Sequence, residues 1–307
     1  MMTNKIEGLI AAPFTPMQPG GEINYDKIPD YYAFLQKNGI AGAFINGSTG
    51  EGVSLTQKEK SKITTIWCRQ KKAGEGLKII NLVGGTSYAE CIENALMSAE
   101  AGADAVAVLS PYYFVPRGAG ELAEFCARVA ESVPGLPVYF YHIPVLTGCY
   151  IPMSGFLQKA ESMIPNLAGI KYTHEDFMDF QTCLNFRNKK YDMLWGRDEN
   201  LLSALILGAR GGVGSTFNYA APLYHQLIHA FDNGQFEEAR DLQQTAINMI
   251  MLLGKYGGIS TGKAYMKYVG LDCGEFRLPV ANKWAAVFPD FEKDVQSLKM
   301  EGLFSKM

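Results

Sequence analysis

The sequence has little of what metal and redox sites are built from. Its 307 residues include only four histidines, and no His-Glu-x-x-His or paired Cys/His spacing occurs. Protein-bound transition metals are held by such side chains at short, recurrent spacings. The six cysteines are widely spaced, with no Cys-x-x-Cys pair and no short secreted framework around them. We therefore expect no protein-built metal site, and reduced, mostly buried thiols.

Long apolar runs and blocks of one charge are also missing. A membrane-spanning helix requires roughly 20 apolar residues in a row, and no stretch of this chain approaches that length. The segment from Met1 to Glu7 lacks the basic and apolar parts of a secretion signal. The net charge is only -3, and no basic stripe occurs. We expect a cytoplasmic protein that binds neither membrane nor nucleic acid.

What is present suits one large core, because 48% of the residues are hydrophobic and only 19% are charged. Short apolar runs alternate with segments of helical period, which predicts a parallel sheet with intervening helices. The predicted strands cover residues 8–13, 41–46, 79–84, 103–109, 138–142, 168–171, 193–196 and 211–214. The predicted helices between them cover residues 26–37, 56–71, 88–101, 120–132, 153–162, 175–185 and 200–208.

The predicted strands are almost continuously apolar, as expected when both faces of a sheet are covered. Eight βα units in about 230 residues match a closed (β/α)8 barrel, the TIM barrel of the α/β class. A doubly wound open sheet is the alternative. After Tyr219 the pattern is purely helical, over residues 221–232, 236–256, 261–269 and 290–298. We predict a catalytic barrel over residues 1–219 and a C-terminal helical extension over residues 220–307, packed on the barrel.

In such a barrel the reactive groups lie at the C-terminal ends of the strands and in the loops that follow. The second predicted strand runs into the loop from Asn46 to Gly52, with the sequence NGSTGEG. Its small residues leave the backbone amides accessible to an anion. The hydroxyls of Ser48 and Thr49 can also donate hydrogen bonds to a carboxylate or phosphate. A Gly-rich turn with a capping Ser or Thr would explain the same residues.

The sixth predicted strand ends with the only charged residue of an apolar run, Lys171. Desolvation disfavours the ammonium form, which would make the amine a nucleophile able to form an imine with a ketone. A lysine that extends to the barrel rim is the alternative. The fifth strand ends Tyr139-Phe140-Tyr141. Tyr139 and Phe140 are assigned to the core, and Tyr141 offers a phenol that could relay a proton.

The loops after the last two strands combine glycines with polar groups. The seventh strand leads into Gly196-Arg197-Asp198-Glu199-Asn200, and the eighth leads into Gly212-Val213-Gly214-Ser215-Thr216. Carboxylates beside glycines suit a polyhydroxylated ligand. Helix N-capping by Asp198 would require no function.

One segment, residues 257–264, nearly matches the nucleotide-binding Gly-x4-Gly-Lys-Ser/Thr loop. Ala264 stands where the loop requires a hydroxyl, and the preceding residues 248–255 have a helical pattern instead of a strand pattern. The sequence therefore argues against nucleotide binding by Lys263.

Taken together, five motifs in order resemble the superfamily of pyruvate-handling aldolases that contains N-acetylneuraminate lyase and dihydrodipicolinate synthase. The resemblance spans nearly the entire chain. It rests on GSTGE from Gly47, SPYY from Ser110, YHIPVLTG from Tyr141, GIK from Gly169 and GST from Gly214.

The resemblance implies that Lys171 forms a Schiff base with the pyruvate-derived carbonyl and that Tyr141 shuttles the proton. Ser48 and Thr49 would hold the carboxylate, and no metal or organic cofactor would be required, since the lysine imine is the electron sink. Tyr113 matches a tyrosine that, in the synthase branch, extends a proton relay across a subunit contact. The resemblance also implies a homotetramer.

Two places favour the lyase branch over the synthase branch. Leu146 stands where the synthase branch often has an arginine that binds a second carboxylate. The sugar-binding residues of the lyase branch correspond here to Gly196, Asp198, Glu199, Gly214 and Ser215, with Thr173 near the N-acyl end. This branch cleaves the sialic acid N-acetylneuraminate to N-acetylmannosamine and pyruvate. Arg197 departs from the uncharged residue that relatives often carry.

Three alternatives remain at this stage. The nearest is a related aldolase acting on another 2-keto-3-deoxy sugar acid, or a dihydrodipicolinate synthase-like enzyme. A second is a keto-acid or sialic-acid sensor without activity, since a fold alone implies no chemistry. Intact Lys171 and Tyr141 argue against the sensor. The last is a nucleotide-dependent enzyme that uses Lys263.

Overall fold

The protein is described by a computed structural model that covers residues 5–71 and 76–307. Residues 1–4 lie outside these described residues. They make up most of the N-terminal segment, residues 1–7, which the sequence predicts is not a secretion signal. Eight parallel strands form a closed barrel in sequence order, with β8 hydrogen-bonded to β1. The strands are β1 Gly8–Ala11, β2 Gly42–Ile45, β3 Lys78–Leu82, β4 Ala105–Leu109, β5 Val138–His142, β6 Leu167–Tyr172, β7 Asp192–Trp195 and β8 Gly211–Gly214.

The barrel has two separate apolar regions, because the side chains of each strand point alternately inward and outward. The inner cluster fills the barrel and includes Ile10, Phe44, Ile80, Tyr141 and Leu194. The outer cluster lies between the barrel and the helices. Strands buried on both faces account for the continuous apolar runs, so the prediction of a closed (β/α)8 barrel is confirmed.

Helices follow the strands as predicted, with bounds that differ by a few residues. The helix Gln57–Arg69 begins in a capping box, in which the Thr56 hydroxyl accepts a hydrogen bond from the Glu59 amide. The short helix Pro144–Thr147 follows β5 directly and was not predicted. The helices of the barrel region are α1 Ile28–Lys37, α2 Gln57–Arg69, α3 Tyr88–Ala101, α4 Ala119–Ala130, α5 Pro144–Thr147, α6 Met153–Met163, α7 Phe177–Asn185 and α8 Leu201–Leu207.

The C-terminal part is helical, in α9 Phe217–Asp232, α10 Phe236–Tyr256, α11 Thr261–Tyr268 and α12 Phe288–Ser297. The boundary predicted near Tyr219 falls inside α9, beside Ala220, whose dihedral angles leave the helical region. Helix α9 packs against β1 and β8 and so completes the ring of helices. The division into residues 1–219 and 220–307 stays a prediction.

Two observations concern the part of the chain that is described. None of its helices is both long and apolar enough to cross a membrane. All six cysteines are buried, and none forms a disulfide within the described ranges.

Candidate active site

Lys171 is buried in the mouth of the barrel, with only 4% of its surface exposed. Its Nζ atom lies 4.1 Å from the centroid of the Phe44 ring and 4.0 Å from that of the Tyr141 ring. Burial lowers the pKa of Lys171 to about 7, and the nearby Asp198 carboxylate opposes that shift. The lysine therefore does not extend to the rim. A large share of it is the neutral, nucleophilic amine at neutral pH.

Tyr141 is the partner of Lys171 across the β5–β6 ladder. Burial raises the pKa of Tyr141 to about 12, and the hydroxyls of Ser48 and Thr173 oppose this shift. Thr173 Oγ1 is nevertheless buried without a well-formed hydrogen bond to any described residue. The phenol thus holds its proton at neutral pH, beside a hydroxyl that is free to bind a ligand.

The two neighbouring aromatic residues of β5 belong to the core, as predicted. Tyr139 lies deeper in the barrel, and its hydroxyl donates a 2.8 Å hydrogen bond to Asp192 Oδ2. Phe140 points outward and packs on Phe156, with ring centroids 4.7 Å apart. Tyr141 is therefore the aromatic residue of this run that faces Lys171.

The loop after β2 brings Ser48 and Thr49 to the same mouth. Neither residue caps the following helix, since the cap of α2 is Thr56. Gly52 leaves no room for a side chain, because a Cβ atom there would lie 1.9 Å from the Asn46 carbonyl oxygen. The structure thus excludes the capping alternative, and it leaves the Ser48 hydroxyl beside the Tyr141 phenol.

Asp198 links the loops that follow β7 and β8. Its Oδ2 atom accepts hydrogen bonds from the Thr216 amide, at 2.8 Å, and from the Thr216 hydroxyl, at 2.7 Å. Its side chain therefore does not cap α8. The carboxylate lies over Gly214, where a Cβ atom would be 2.3 Å from Oδ1. Burial raises the pKa of Asp198 to about 6, with Thr216 opposing and Glu199 reinforcing the shift. Ser215, which stands between Gly214 and Thr216 in the chain, is half-buried.

Gly196 and Arg197 shape the other side of the mouth. A Cβ atom on Gly196 would lie 1.9 Å from Thr173 Oγ1, so only glycine fits against this threonine. Arg197 Nη2 lies 2.6 Å from Glu199 Oε1 and 3.0 Å from Glu175 Oε1. Arg197, which departs from the uncharged residue that relatives often carry, is thus the shared counter-ion of two carboxylates.

Sequence reasoning missed three parts of this site. Phe44 forms one wall of the Lys171 pocket, although the sequence shows it only as an apolar strand residue. Gln243 on α10 donates to the Asp198 carbonyl at 3.2 Å and accepts from the Leu202 amide at 2.9 Å. Thr216, the last residue of the GST motif, is the hydrogen-bond partner of Asp198. Only Thr216 lay within a motif that could have indicated its role.

Two predicted features lie away from the lysine. Tyr113 is on the loop after β4 with 80% of its surface exposed. Lys263 is fully buried, and its Nζ atom lies 2.9 Å from Glu51 Oε1. A lysine closed off in an ion pair cannot reach a phosphate, and the preceding residues form α10 instead of a strand. The structure supports the rejection of a nucleotide-binding loop.

A closed barrel with a buried, partly neutral amine facing its mouth is the arrangement of a class I aldolase. The comparisons agree. The Dihydrodipicolinate synthetase family matches residues 5–298. The N-acetylneuraminate lyase of Danio rerio is 39% identical over 280 residues, which are 90% of this chain and 91% of that protein. The Homo sapiens N-acetylneuraminate lyase is 40% identical over 282 residues, which are 90% of this chain and 87% of that protein.

Among solved structures, Proteus mirabilis N-acetylneuraminate lyase superposes with a TM-score of 0.92 at 36% identity. The match covers 96% of this chain and 99% of that one. The chain belongs to the Dihydrodipicolinate synthetase family. It is a carbon–carbon lyase that acts on a small molecule, so the predicted family and enzyme class are confirmed.

Proposed function

We propose that this chain reversibly cleaves N-acetylneuraminate to N-acetylmannosamine and pyruvate, with Lys171 as the Schiff-base residue. The observation that carries the proposal is the pair formed by Lys171 and Tyr141 at the barrel mouth. The names of the similar proteins support the substrate, and the polar loops after β7 and β8 support a polyhydroxylated aldehyde half.

The reaction begins when the neutral Lys171 amine attacks the C2 carbonyl, and water leaves as the imine forms. The carboxylate of the keto acid accepts hydrogen bonds from Ser48 and Thr49, which orients C2 toward the amine. Tyr141 gives its phenol proton to the carbinolamine hydroxyl, which leaves as water, so the protonated imine and the Tyr141 phenolate form together and stabilise each other as opposite charges. Tyr141 then takes the proton of the C4 hydroxyl.

Loss of that proton breaks the bond between C3 and C4. The electron pair of the bond passes into the imine, which becomes an enamine, and N-acetylmannosamine leaves as the aldehyde. Tyr141 returns its proton to C3, and water hydrolyses the imine to release pyruvate and restore the amine. Each atom and proton is supplied by substrate, water or these two side chains.

The aldehyde half is assigned to the loops after β6, β7 and β8. Asp198 and Glu199 are acceptors for sugar hydroxyls, and Gly196 and Gly214 have no side chains of their own, which lets Thr173 and Asp198 pack closely against them. Ser215 supplies a further hydroxyl, and Thr173 Oγ1, which lacks a well-formed hydrogen bond to the described residues, is assigned to the N-acyl end. Binding energy from these contacts positions the C4 hydroxyl for Tyr141.

The second candidate substrate is another 2-keto-3-deoxy sugar acid, which would use the same lysine and tyrosine. A dihydrodipicolinate synthase-like reaction is disfavoured because Leu146, which offers no charge, stands on α5 with 62% of its surface exposed. A second carboxylate would find no cation at this position.

The test is release of pyruvate from N-acetylneuraminate, followed by a coupled lactate dehydrogenase assay, with Lys171→Ala as the inactive control. We expect release by the unsubstituted chain and none by the variant. No release from N-acetylneuraminate, together with release from another 2-keto-3-deoxy acid, would contradict the substrate and leave the imine chemistry standing.

We further propose that the enzyme works in the cytoplasm as a homotetramer in sialic acid catabolism. An exposed apolar group beside the mouth supports assembly: Tyr113 and Phe114 are 80% and 85% exposed, and Val145, Leu146 and Tyr150 each exceed 60%. Monomers rarely expose contiguous aromatic surface of this kind. Tyr113 would then lie at a subunit contact, as its relay role requires. Sedimentation of the unsubstituted chain as a monomer at micromolar concentration would contradict this assembly.

A further inference from the structure

The glutamate that ends the GSTGE motif faces away from the lysine, into the C-terminal helices. Glu51 Oε1 lies 2.9 Å from Lys263 Nζ on α11, and Glu51 Oε2 accepts a 2.8 Å hydrogen bond from the Arg277 amide. The side chains of Lys263 and Glu51 are 0% and 3% exposed. This contact joins the loop that holds Ser48 and Thr49 to the last third of the chain.

A buried ion pair is weak evidence for a role in stability alone. Removing two charges from water is unfavourable, and their attraction offsets this cost only with good geometry and further hydrogen bonds. Here the geometry is complete, because Lys263 Nζ also donates to the Glu275 carbonyl at 2.9 Å and lies 4.7 Å from the Phe276 ring centroid. These contacts hold Lys263 in one position, and Lys263 in turn holds the Glu51 carboxylate.

The loop requires such fixing because its backbone is strained at both ends. Asn46 and Glu51 have φ angles of 56° and 59°, in the left-handed region that favours glycine. Residues in sparsely populated backbone regions are strained and persist only where their surroundings determine them. Asn46 is held from below by a 2.7 Å hydrogen bond to Asn81 Oδ1. Glu51 is held from the other side by Lys263 and the Arg277 amide.

The Glu51 backbone is linked directly to the residues that bind the carboxylate. Its amide donates to the Ser48 carbonyl at 3.1 Å, which closes the turn over Thr49 and Gly50. A second contact anchors the same segment, since the Arg277 guanidinium bonds both carboxylate oxygens of Glu59 at the start of α2. Movement of the Glu51 side chain would therefore shift the Ser48 and Thr49 hydroxyls.

We propose that Lys263 and Glu51 are positioning residues for the carboxylate-binding loop, so that the C-terminal helices set the affinity of the site for the keto-acid carboxylate. This inference rests on the proposed function, because it assigns that carboxylate to Ser48 and Thr49. It also gives a role to the segment that nearly matches a nucleotide-binding loop: its lysine neutralises a carboxylate of the protein instead of a phosphate.

The test uses Lys263→Met and measures imine formation with pyruvate, trapped by borohydride at increasing pyruvate concentration. Methyl pyruvate, which has no carboxylate charge, is the second probe. We expect the half-saturating concentration of pyruvate to rise about tenfold, on the scale of a charge-assisted hydrogen bond. The value for methyl pyruvate should change less than about twofold, since the ester forms no such bond.

Asn38→Ala is the matched control. The Asn38 side chain also ties the barrel to the C-terminal part, with hydrogen bonds of 2.9 and 3.0 Å to the Lys306 backbone. It lies at the end of α1, just before β2 begins, and so at the opposite end of the barrel. We expect a lower Tm in this variant and unchanged half-saturation by pyruvate.

If Lys263→Met does not fold, the double variant E51Q/K263M removes both buried charges and serves in its place. Lower Tm with unchanged pyruvate affinity, or equal shifts for pyruvate and methyl pyruvate, would overturn the inference. If the unsubstituted chain traps no pyruvate at all, the proposed function itself fails. The two failures are therefore distinguishable.

Discussion

Lys171 and Tyr141 are partners on neighbouring strands, and Lys171 Nζ lies 4.0 Å from the centroid of the Tyr141 ring. This relationship places a nucleophilic amine and a proton-carrying phenol at one point of the barrel mouth. Because both groups stand on strands instead of loops, their separation is fixed by the barrel itself.

Replacing the lysine should stabilise the protein while abolishing activity. The pKa of Lys171 in the folded chain is about 7, below its ordinary value of 10.5. The unfolded chain therefore binds more protons between these values, and stability rises with pH across that window. We expect Lys171→Met to raise the Tm at pH 7, by roughly 2 °C for each kcal/mol gained, and to raise it less at pH 10. The exposed Lys58→Met variant should show neither effect in the same melting experiment.

Asp198 should set the pH at which the amine becomes reactive. The carboxylate favours the ammonium form of Lys171, so its removal lowers the lysine pKa. We expect imine formation with pyruvate to increase with pH through about 7 in the unsubstituted chain, and this rise to move to lower pH in Asp198→Asn. Glu175→Gln, which removes the other carboxylate bound by Arg197, is the control, and it should leave the rise in place. A rise at the same pH in all three proteins would refute this coupling.

Arg197 should affect binding of the sugar half of N-acetylneuraminate and should not affect binding of the keto-acid half. Without its guanidinium, Glu175 and Glu199 lose their shared counter-ion. We expect Arg197→Gln to raise the KM for N-acetylneuraminate by roughly threefold, on the scale of a partly exposed ion pair, with trapping of pyruvate unchanged. Arg187→Gln removes a similar ion pair with Glu161 and should leave both values alone. Equal effects of the two substitutions would contradict the assignment.

Gly214 should tolerate no side chain. The Cβ atom of alanine would lie 2.3 Å from Asp198 Oδ1 and must displace the carboxylate. We expect Gly214→Ala to lower kcat/KM for cleavage by about a hundredfold, because small misplacements near the reacting atoms have effects of this size. Gly135→Ala is the matched control, since nothing lies within 4 Å of the added atom. Full activity in Gly214→Ala would show that Asp198 need not hold its position.

The sequence was sufficient for the barrel because its signals are local. Continuous apolar runs at regular spacing identify strands covered on both faces, and β5 and β8 have the predicted bounds. The ends of β6 were less accurate: the strand includes Leu167 and Tyr172 as well as residues 168–171. Tyr172 has strand propensity as an aromatic residue, but its place at the end of β6 depends on pairing with Trp195 of β7.

The site could be predicted only where reactive residues stand at strand ends. Lys171 and Tyr141 meet that condition. Lys263 and Gln243 contact residues that lie far away in the sequence. Arg197 contacts nearer residues, but its sequence position does not indicate which of them it pairs with. Lys263, for example, is separated by 212 positions from Glu51. No local sequence pattern indicates such a pair, because the two residues meet only when the C-terminal helices pack on the barrel.

The most direct measurement is borohydride reduction of the enzyme in the presence of N-acetylneuraminate, followed by peptide mass spectrometry. We predict a stable adduct on the peptide that contains Lys171, with loss of activity in proportion to labelling and no adduct in Lys171→Met. An adduct on another lysine, or full activity after reduction, would contradict the assignment of Lys171 as the imine-forming residue.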